Sequence, residues 1–118
     1  MSGRVLVVDD EELLTLFYEE ILGDYGLSVV CCHSGFEALE LFNEPPPFDL
    51  LITDQSMLGM EGTELIERLK GVQPSLKTVL CSGLSEPYRL DAKADAILDK
   101  PLDIEALYRV LDRLLGRV

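Results

Sequence analysis

Five short, almost wholly apolar runs recur along this chain, and segments with helical spacing separate them. Arg4 to Val8 (RVLVV), Leu27 to Cys32, Asp49 to Thr53, Lys77 to Cys81 and Asp95 to Leu98 read as strands. A strand that is apolar at every position must be covered on both faces, which is the environment of a parallel sheet. Right-handed crossovers then place helices on both sides. The expected fold class is α/β, a three-layer, doubly wound (βα)5 arrangement around a central five-stranded parallel sheet.

The intervening segments agree. Leu13, Leu14, Phe17, Ile21 and Leu22 recur at helical spacing. Ser34 and Glu37 form an S-x-x-E capping box before Ala38, Leu39 and Phe42. Pro45-Pro46-Pro47 cannot continue that helix. Leu65, Ile66 and Leu69 mark another helix, closed by Gly71 and Pro74. Asp103 caps the last helix, whose stripe is Ile104, Leu107, Tyr108, Leu111, Leu114 and Leu115. The segment Ser85 to Lys93 is thin in apolar residues and interrupted by Pro87. The fourth helix, after the fourth strand, is therefore expected to be shortened. Residues 1–118 are expected to form one domain with no output domain attached.

Charge excludes some partners. The net charge is -12, from 22 acidic and 10 basic residues. A field of that sign repels phosphate backbones and anionic lipids, so no direct nucleic-acid or membrane binding is expected. No apolar run approaches a membrane span and no signal pattern opens the chain, so a cytoplasmic location is expected. The cysteines Cys31, Cys32 and Cys81 lack metal-ligand spacing. Cys31 and Cys32, adjacent in a strand, face opposite sides, and all three read as free thiols. His33, the lone histidine, reads as structural.

Ligands of doubly wound folds sit outside the carboxyl ends of the strands. Polar residues break the apolar runs there: Asp9 and Asp10 after the first, Asp54 after the third, Ser82 and Gly83 after the fourth, Lys100-Pro101 after the fifth. Each alone is an ordinary cap or loop residue. Three carboxylates on one edge repel one another and need a cation. Mg²⁺ fits best, because it takes one or two carboxylates and fills its other positions with water and phosphate oxygens. Asp54 suits nucleophilic attack on phosphorus. Lys100 would supply a point charge to the phosphoryl oxygens, Ser82 a hydroxyl and Gly83 an approachable backbone N–H. Glu11 and Glu12 read as a solvated first helical turn.

On these residues the chain resembles a two-component response-regulator receiver (CheY-like) domain from end to end. The matching segments are VLVVDDE (Val5 to Glu11), SGFEALELF (Ser34 to Phe42), DLLITD (Asp49 to Asp54), M-x-x-M-E-G (Met57 to Gly62), Ser82-Gly83 and Lys100-Pro101. The resemblance implies a flavodoxin-like strand order 2-1-3-4-5. It implies that Asp54 accepts a phosphoryl group from a histidine kinase or histidine phosphotransfer protein, with Mg²⁺. Asp10 would ligate the metal directly, Asp9 largely through water, and the Ser56 backbone carbonyl would add a ligand. Lys100 would bridge the acids and the phosphoryl group, with a cis Lys100–Pro101 peptide. Ser82 and Ile97 take the switch positions, and Ser56 and Leu84 those that tune autodephosphorylation. The domain would act as a signalling phospho-acceptor, not a metabolic enzyme. Its downstream partner is left open, and an oligomer is possible.

Three departures qualify the resemblance. Leu58 stands where the family commonly has proline, Ile97 replaces the switch aromatic, and Ser82 to Lys100 is short by about one helical turn. Two other readings stand beside it. One is a phosphorylation-independent receiver-like adaptor, which Ile97 keeps open. The other is a small aspartyl-phosphate phosphohydrolase, disfavoured because Ser56 stands where such enzymes carry a second acid.

Overall fold

A computed structural model describes residues 3–83 and 93–117. Its elements run β1 (Arg4–Val8), α1 (Glu12–Tyr25), β2 (Ser28–Cys32), α2 (Gly35–Phe42), β3 (Leu50–Asp54), α3 (Gly62–Val72), β4 (Lys77–Ser82), β5 (Ala96–Asp99) and α4 (Ile104–Leu115). The strands form one sheet in the order β2-β1-β3-β4-β5, and every pairing is parallel. The architecture is the flavodoxin-like α/β fold expected. The helix anticipated between β4 and β5, with its shortening, and Leu84 lie outside the described residues.

Strand alternation sorts the core into two layers. Val5, Val7, Leu50, Ile52, Val79 and Cys81 face α1 and α4, against Tyr18, Ile21, Leu22, Leu107 and Leu111. Leu6, Val8, Leu51 and Leu80 face α2 and α3, against Ala38, Phe42, Leu65, Ile66 and Leu69. Cys31 packs on the first layer and Cys32 in the second, as adjacent strand residues must. All three thiols are free. Among the described residues, no helix is long and apolar enough to cross a membrane.

The helix ends follow local chemistry. Gly26, at φ 104, closes α1 in the left-handed conformation that glycine tolerates, and the Leu27 N–H returns to the Leu22 carbonyl. Leu27 is thereby part of the turn, not of β2. Ser34 caps α2 by accepting from the Glu37 N–H at 3.1 Å. The reciprocal bond runs from the His33 N–H to Glu37 Oε1, one residue earlier than a capping box places it. Asp103 caps α4 through the Glu105 N–H. Gly71 does not stop α3, which continues to Val72, with Gln73 as its C-cap.

Two further details differ from the sequence expectation. Leu13 is 81% exposed, and the buried face of α1 runs through Tyr18 instead. A spacing count cannot tell which edge of a broad stripe meets the sheet. The third and fifth strands also start and end one residue later than expected: Asp49 and Asp95 precede them, with Asp49 Oδ2 accepting from the Arg4 N–H and Asp95 Oδ2 from the Thr78 N–H, while Asp54 and Asp99 pair at their ends.

Candidate functional site

Parallel strands end together, so the carboxyl edge collects the chemistry. Asp54 is the last residue of β3, paired in register with Cys81 of β4. Ser82 ends β4, and the half-buried Gly83 follows it. Asp9 and Asp10 follow β1, and Lys100 follows β5. The Lys100 N–H donates to the Ser82 carbonyl at 3.0 Å, so these two residues are tethered by backbone. The Lys100–Pro101 peptide is cis.

One carboxylate oxygen each from Asp9, Asp10 and Asp54 lies within 4.8 Å of the others. Lys100 Nζ stands 2.8 Å from Asp54 Oδ1 and 3.9 Å from Asp9 Oδ2. Asp9 is divided in its duties. Its Oδ1 accepts from the Glu11 N–H at 2.9 Å, shaping the turn into α1, while Oδ2 is buried without a hydrogen-bond partner among the described residues. Ser82 Oγ is likewise buried and unpartnered among them. Buried polar groups left open in this way are uncommon and ask for a ligand. Asp10 is exposed, as are Glu11 and Glu12.

The electrostatics point the same way. Burial pushes the Asp9 carboxyl above its ordinary range; the Glu11 N–H and Lys100 oppose this, and the Asp54 and Asp10 charges add to it. Burial also raises Asp54, although the hydrogen bond and charge of Lys100 and the Ser56 N–H pull it down. For Lys100, burial favours the neutral amine, but Asp54 and Asp9 outweigh it and hold the ammonium above its ordinary value. With all three acids ionised, one ammonium leaves two negative charges uncompensated. A hard divalent cation with oxygen ligands fits that deficit, and Mg²⁺ fits the donor set.

Ser56 lies in the loop after β3 and is exposed. Ile97 pairs with Leu80 and packs half-buried against the layer that faces α2 and α3. Beneath the edge, the buried Tyr18 hydroxyl lies 3.2 Å from Cys81 Sγ. Two residues without an assigned role prove close to Asp54. A Cβ on Gly62 would fall 2.3 Å from the Asp54 carbonyl oxygen, so α3 packs directly on the Asp54 backbone. Gln55, next to Asp54, is 1% exposed and hydrogen-bonded to the start of α3. Gly62 lay inside a recognised motif, but Gln55 has the sequence appearance of a loop residue.

Residues 5–112 match the response regulator receiver domain family. The chain is 35% identical over 121 residues to response regulator MprA of Mycobacterium tuberculosis, across 99% of this chain and 52% of that protein. It thus spans about half the length of that relative. Among solved structures it is similar to the signal receiver domain of a signal transduction histidine kinase from Syntrophus aciditrophicus. The TM-score is 0.87 at 31% identity, covering 99% of this chain and 92% of that one. The chemotaxis response regulator CheY4 of Vibrio cholerae gives a TM-score of 0.83 at 26% identity, covering 97% and 99%.

Proposed function

Because the chain belongs to the response regulator receiver domain family of two-component systems, we propose that Asp54 accepts a phosphoryl group from a histidine kinase or a histidine phosphotransfer protein. The observation that carries this reading is the 2.8 Å ion pair between Lys100 and Asp54 in a pocket shared with Asp9 and Asp10. In the transfer, an Asp54 carboxylate oxygen forms a bond to phosphorus. The phosphorus–nitrogen bond of the donor phosphohistidine breaks, and the imidazole departs with a proton.

The chain's part is positioning and charge neutralisation, the main contributions to phosphoryl transfer. Asp9, Asp10, Asp54 and the Ser56 carbonyl would hold Mg²⁺, which when bound neutralises charge on the phosphoryl oxygens. Lys100 leaves its pairing with the carboxylate for the transferred group. The buried Ser82 hydroxyl, lacking a partner among the described residues, donates to another phosphoryl oxygen, and the Gly83 N–H approaches the same group. Ile97, at the switch position, packs as a strand residue against the core, and an isoleucine there has no aromatic ring to swing inward. Beyond this transfer and the slow hydrolysis of the aspartyl-phosphate to the free carboxylate and inorganic phosphate, the domain is a signalling element, acting in the cytoplasm.

Intact-mass measurement after incubation with acetyl phosphate and Mg²⁺, with Asp54→Asn beside the wild type, tests the reading. A phosphoryl adduct on the wild type alone is expected. No adduct with acetyl phosphate, phosphoramidate or a phosphohistidine donor would leave the phosphorylation-independent adaptor. Rapid turnover of many phosphomonoesters would make the chain a hydrolase.

A further inference from the structure

Gln55 is buried, polar and adjacent to the acceptor, and beyond one bond to β4 its bonds close one loop. Its backbone N–H donates to the Cys81 carbonyl at 3.0 Å, extending the β3–β4 ladder one residue past Asp54. Its backbone carbonyl accepts from the Gly62 N–H at 3.0 Å. Its side-chain Oε1 accepts from the Thr63 N–H at 3.0 Å, and Nε2 donates to Glu61 Oε2 at 2.8 Å. The N-cap residue of α3, Glu61, makes no side-chain cap. Gln55 therefore caps α3 from outside the helix, answering two of the donors that a helix start leaves open.

The loop tied at this neck carries Ser56 at its first position. Beyond it, Met57 and Met60 are buried, Leu58 is 91% exposed and Gly59 sits at φ 87. The buried methionines anchor the loop mainly through non-directional contacts, with one long bond donated by the Thr53 hydroxyl to Met57 Sδ at 3.9 Å. The bonds that tie the neck of the loop to the start of α3 come from Gln55. We infer that Gln55 is a positioning residue for the cation site, holding the Ser56 carbonyl and the Asp54 carboxylate in ligating register through its bonds to Glu61 and Thr63. The inference rests on the phospho-acceptor reading. Groups that orient metal ligands without touching the metal commonly account for about ten- to a hundredfold in affinity.

The test is Mg²⁺ affinity, read from backbone amide shifts on titration with MgCl₂, with urea unfolding in parallel. The variants are Gln55→Met, Gln55→Glu, and Gln55→Glu combined with Glu61→Gln. Gln55→Met keeps net charge and is expected to weaken Mg²⁺ binding roughly tenfold. Gln55→Glu keeps the acceptor for the Thr63 N–H but sets a carboxylate against Glu61, and is expected to weaken binding although it adds a negative charge. Adding Glu61→Gln restores a donor–acceptor pair and is expected to recover affinity although it removes a negative charge. Long-range electrostatics predicts the opposite sign for both steps, and a purely structural role would move stability and leave affinity alone. If Gln55→Met does not fold, the Gln55→Glu pair decides. Wild-type binding with unchanged affinity in Gln55→Met, or tighter binding in Gln55→Glu, overturns the inference and leaves the phospho-acceptor reading standing. A wild type that does not bind Mg²⁺ overturns both.

Discussion

The Asp95 carboxylate accepts from the Thr78 N–H at 2.8 Å and from its hydroxyl at 3.1 Å, while the Asp95 N–H returns to the Thr78 hydroxyl and carbonyl at 3.1 and 3.0 Å. Lys70 Nζ adds an ion pair to the same carboxylate at 3.0 Å. This knot joins α3, β4 and β5 at the edge of the sheet opposite the acidic pocket, and Lys100 projects from the far end of β5. Burial works against the Asp95 anion, but Lys70 and both Thr78 donors outweigh it and hold the carboxyl below its ordinary range.

Asp95→Asn follows from that sign. A folded-state value below the unfolded one means that the carboxylate contributes stability above the unfolded pKa, and that this is lost as pH falls through the folded pKa. At neutral pH the substitution is expected to cost about 1–2 kcal/mol, less than a fully buried charged hydrogen bond because the site is partly solvated. The gap from wild type should narrow below about pH 4. Urea unfolding across this range checks it, and a gap independent of pH would contradict it.

The acidic pocket carries the opposite sign. Asp9 and Asp54 are raised by burial, so in EDTA the protein should gain stability as pH falls from neutral toward the unfolded carboxyl value near about 4. Asp9→Asn removes one of the crowded charges while its amide oxygen can still accept from the Glu11 N–H. It is expected to raise metal-free stability by roughly 1 kcal/mol, a few degrees in Tm, at the expense of the increment that Mg²⁺ adds. Calorimetry with EDTA and with Mg²⁺ measures both. Lower metal-free stability in the variant would contradict the charge-crowding account.

Gly62 and Gly71 lie on the same helix, and alanine should act on them in opposite directions. At Gly62 a Cβ meets the Asp54 carbonyl oxygen at 2.3 Å and Leu80 Cδ1 at 2.9 Å. Backbone cannot step aside as a flexible side chain can, so Gly62→Ala should cost about 3 kcal/mol or more. At Gly71 nothing lies within 4 Å of the added Cβ. Gly71→Ala should stabilise by about 0.5–1 kcal/mol through helix propensity alone. Chemical denaturation of the two variants is the measurement.

The thiols should be inert in the native protein. Burial pushes Cys31 and Cys32 up to about 12 and Cys81 up to about 11. With little thiolate present at neutral pH, reaction with Ellman's reagent should run at least about a hundredfold slower than for a free thiol. All three should react promptly in denaturant. Fast native labelling of any one would show that its strand opens.

Asp49 shows why some boundaries escaped a reading of the chain. It repeats the device of Asp95, its Oδ2 accepting from the Arg4 N–H at 2.9 Å across to β1. An acid at the head of an apolar run looks like the first residue of the strand. That its carboxylate also clamps the neighbouring strand depends on which strand lies alongside. Leu13 escaped for a related reason, since helical spacing fixes a stripe but not its centre.

Composition and order along the chain were enough for the alternation, the parallel sheet and the carboxyl-edge placement of Asp9, Asp10, Asp54, Ser82 and Lys100. Those features follow from local periodicity and from the rule that parallel strands end together. Tertiary structure alone decided that Gly62 abuts the Asp54 carbonyl, that Asp9 spends one oxygen on Glu11 and leaves the other to the pocket, and that Gln55 caps a helix it does not belong to. The Asp9–Glu11 bond is a local turn contact, but what the free Asp9 oxygen faces, and the partners of Gly62 and Gln55, are set by how the layers pack. No window of sequence contains that information, because hydrogen-bond partners are chosen by distance in space, and spacing along the chain records only which side a residue faces.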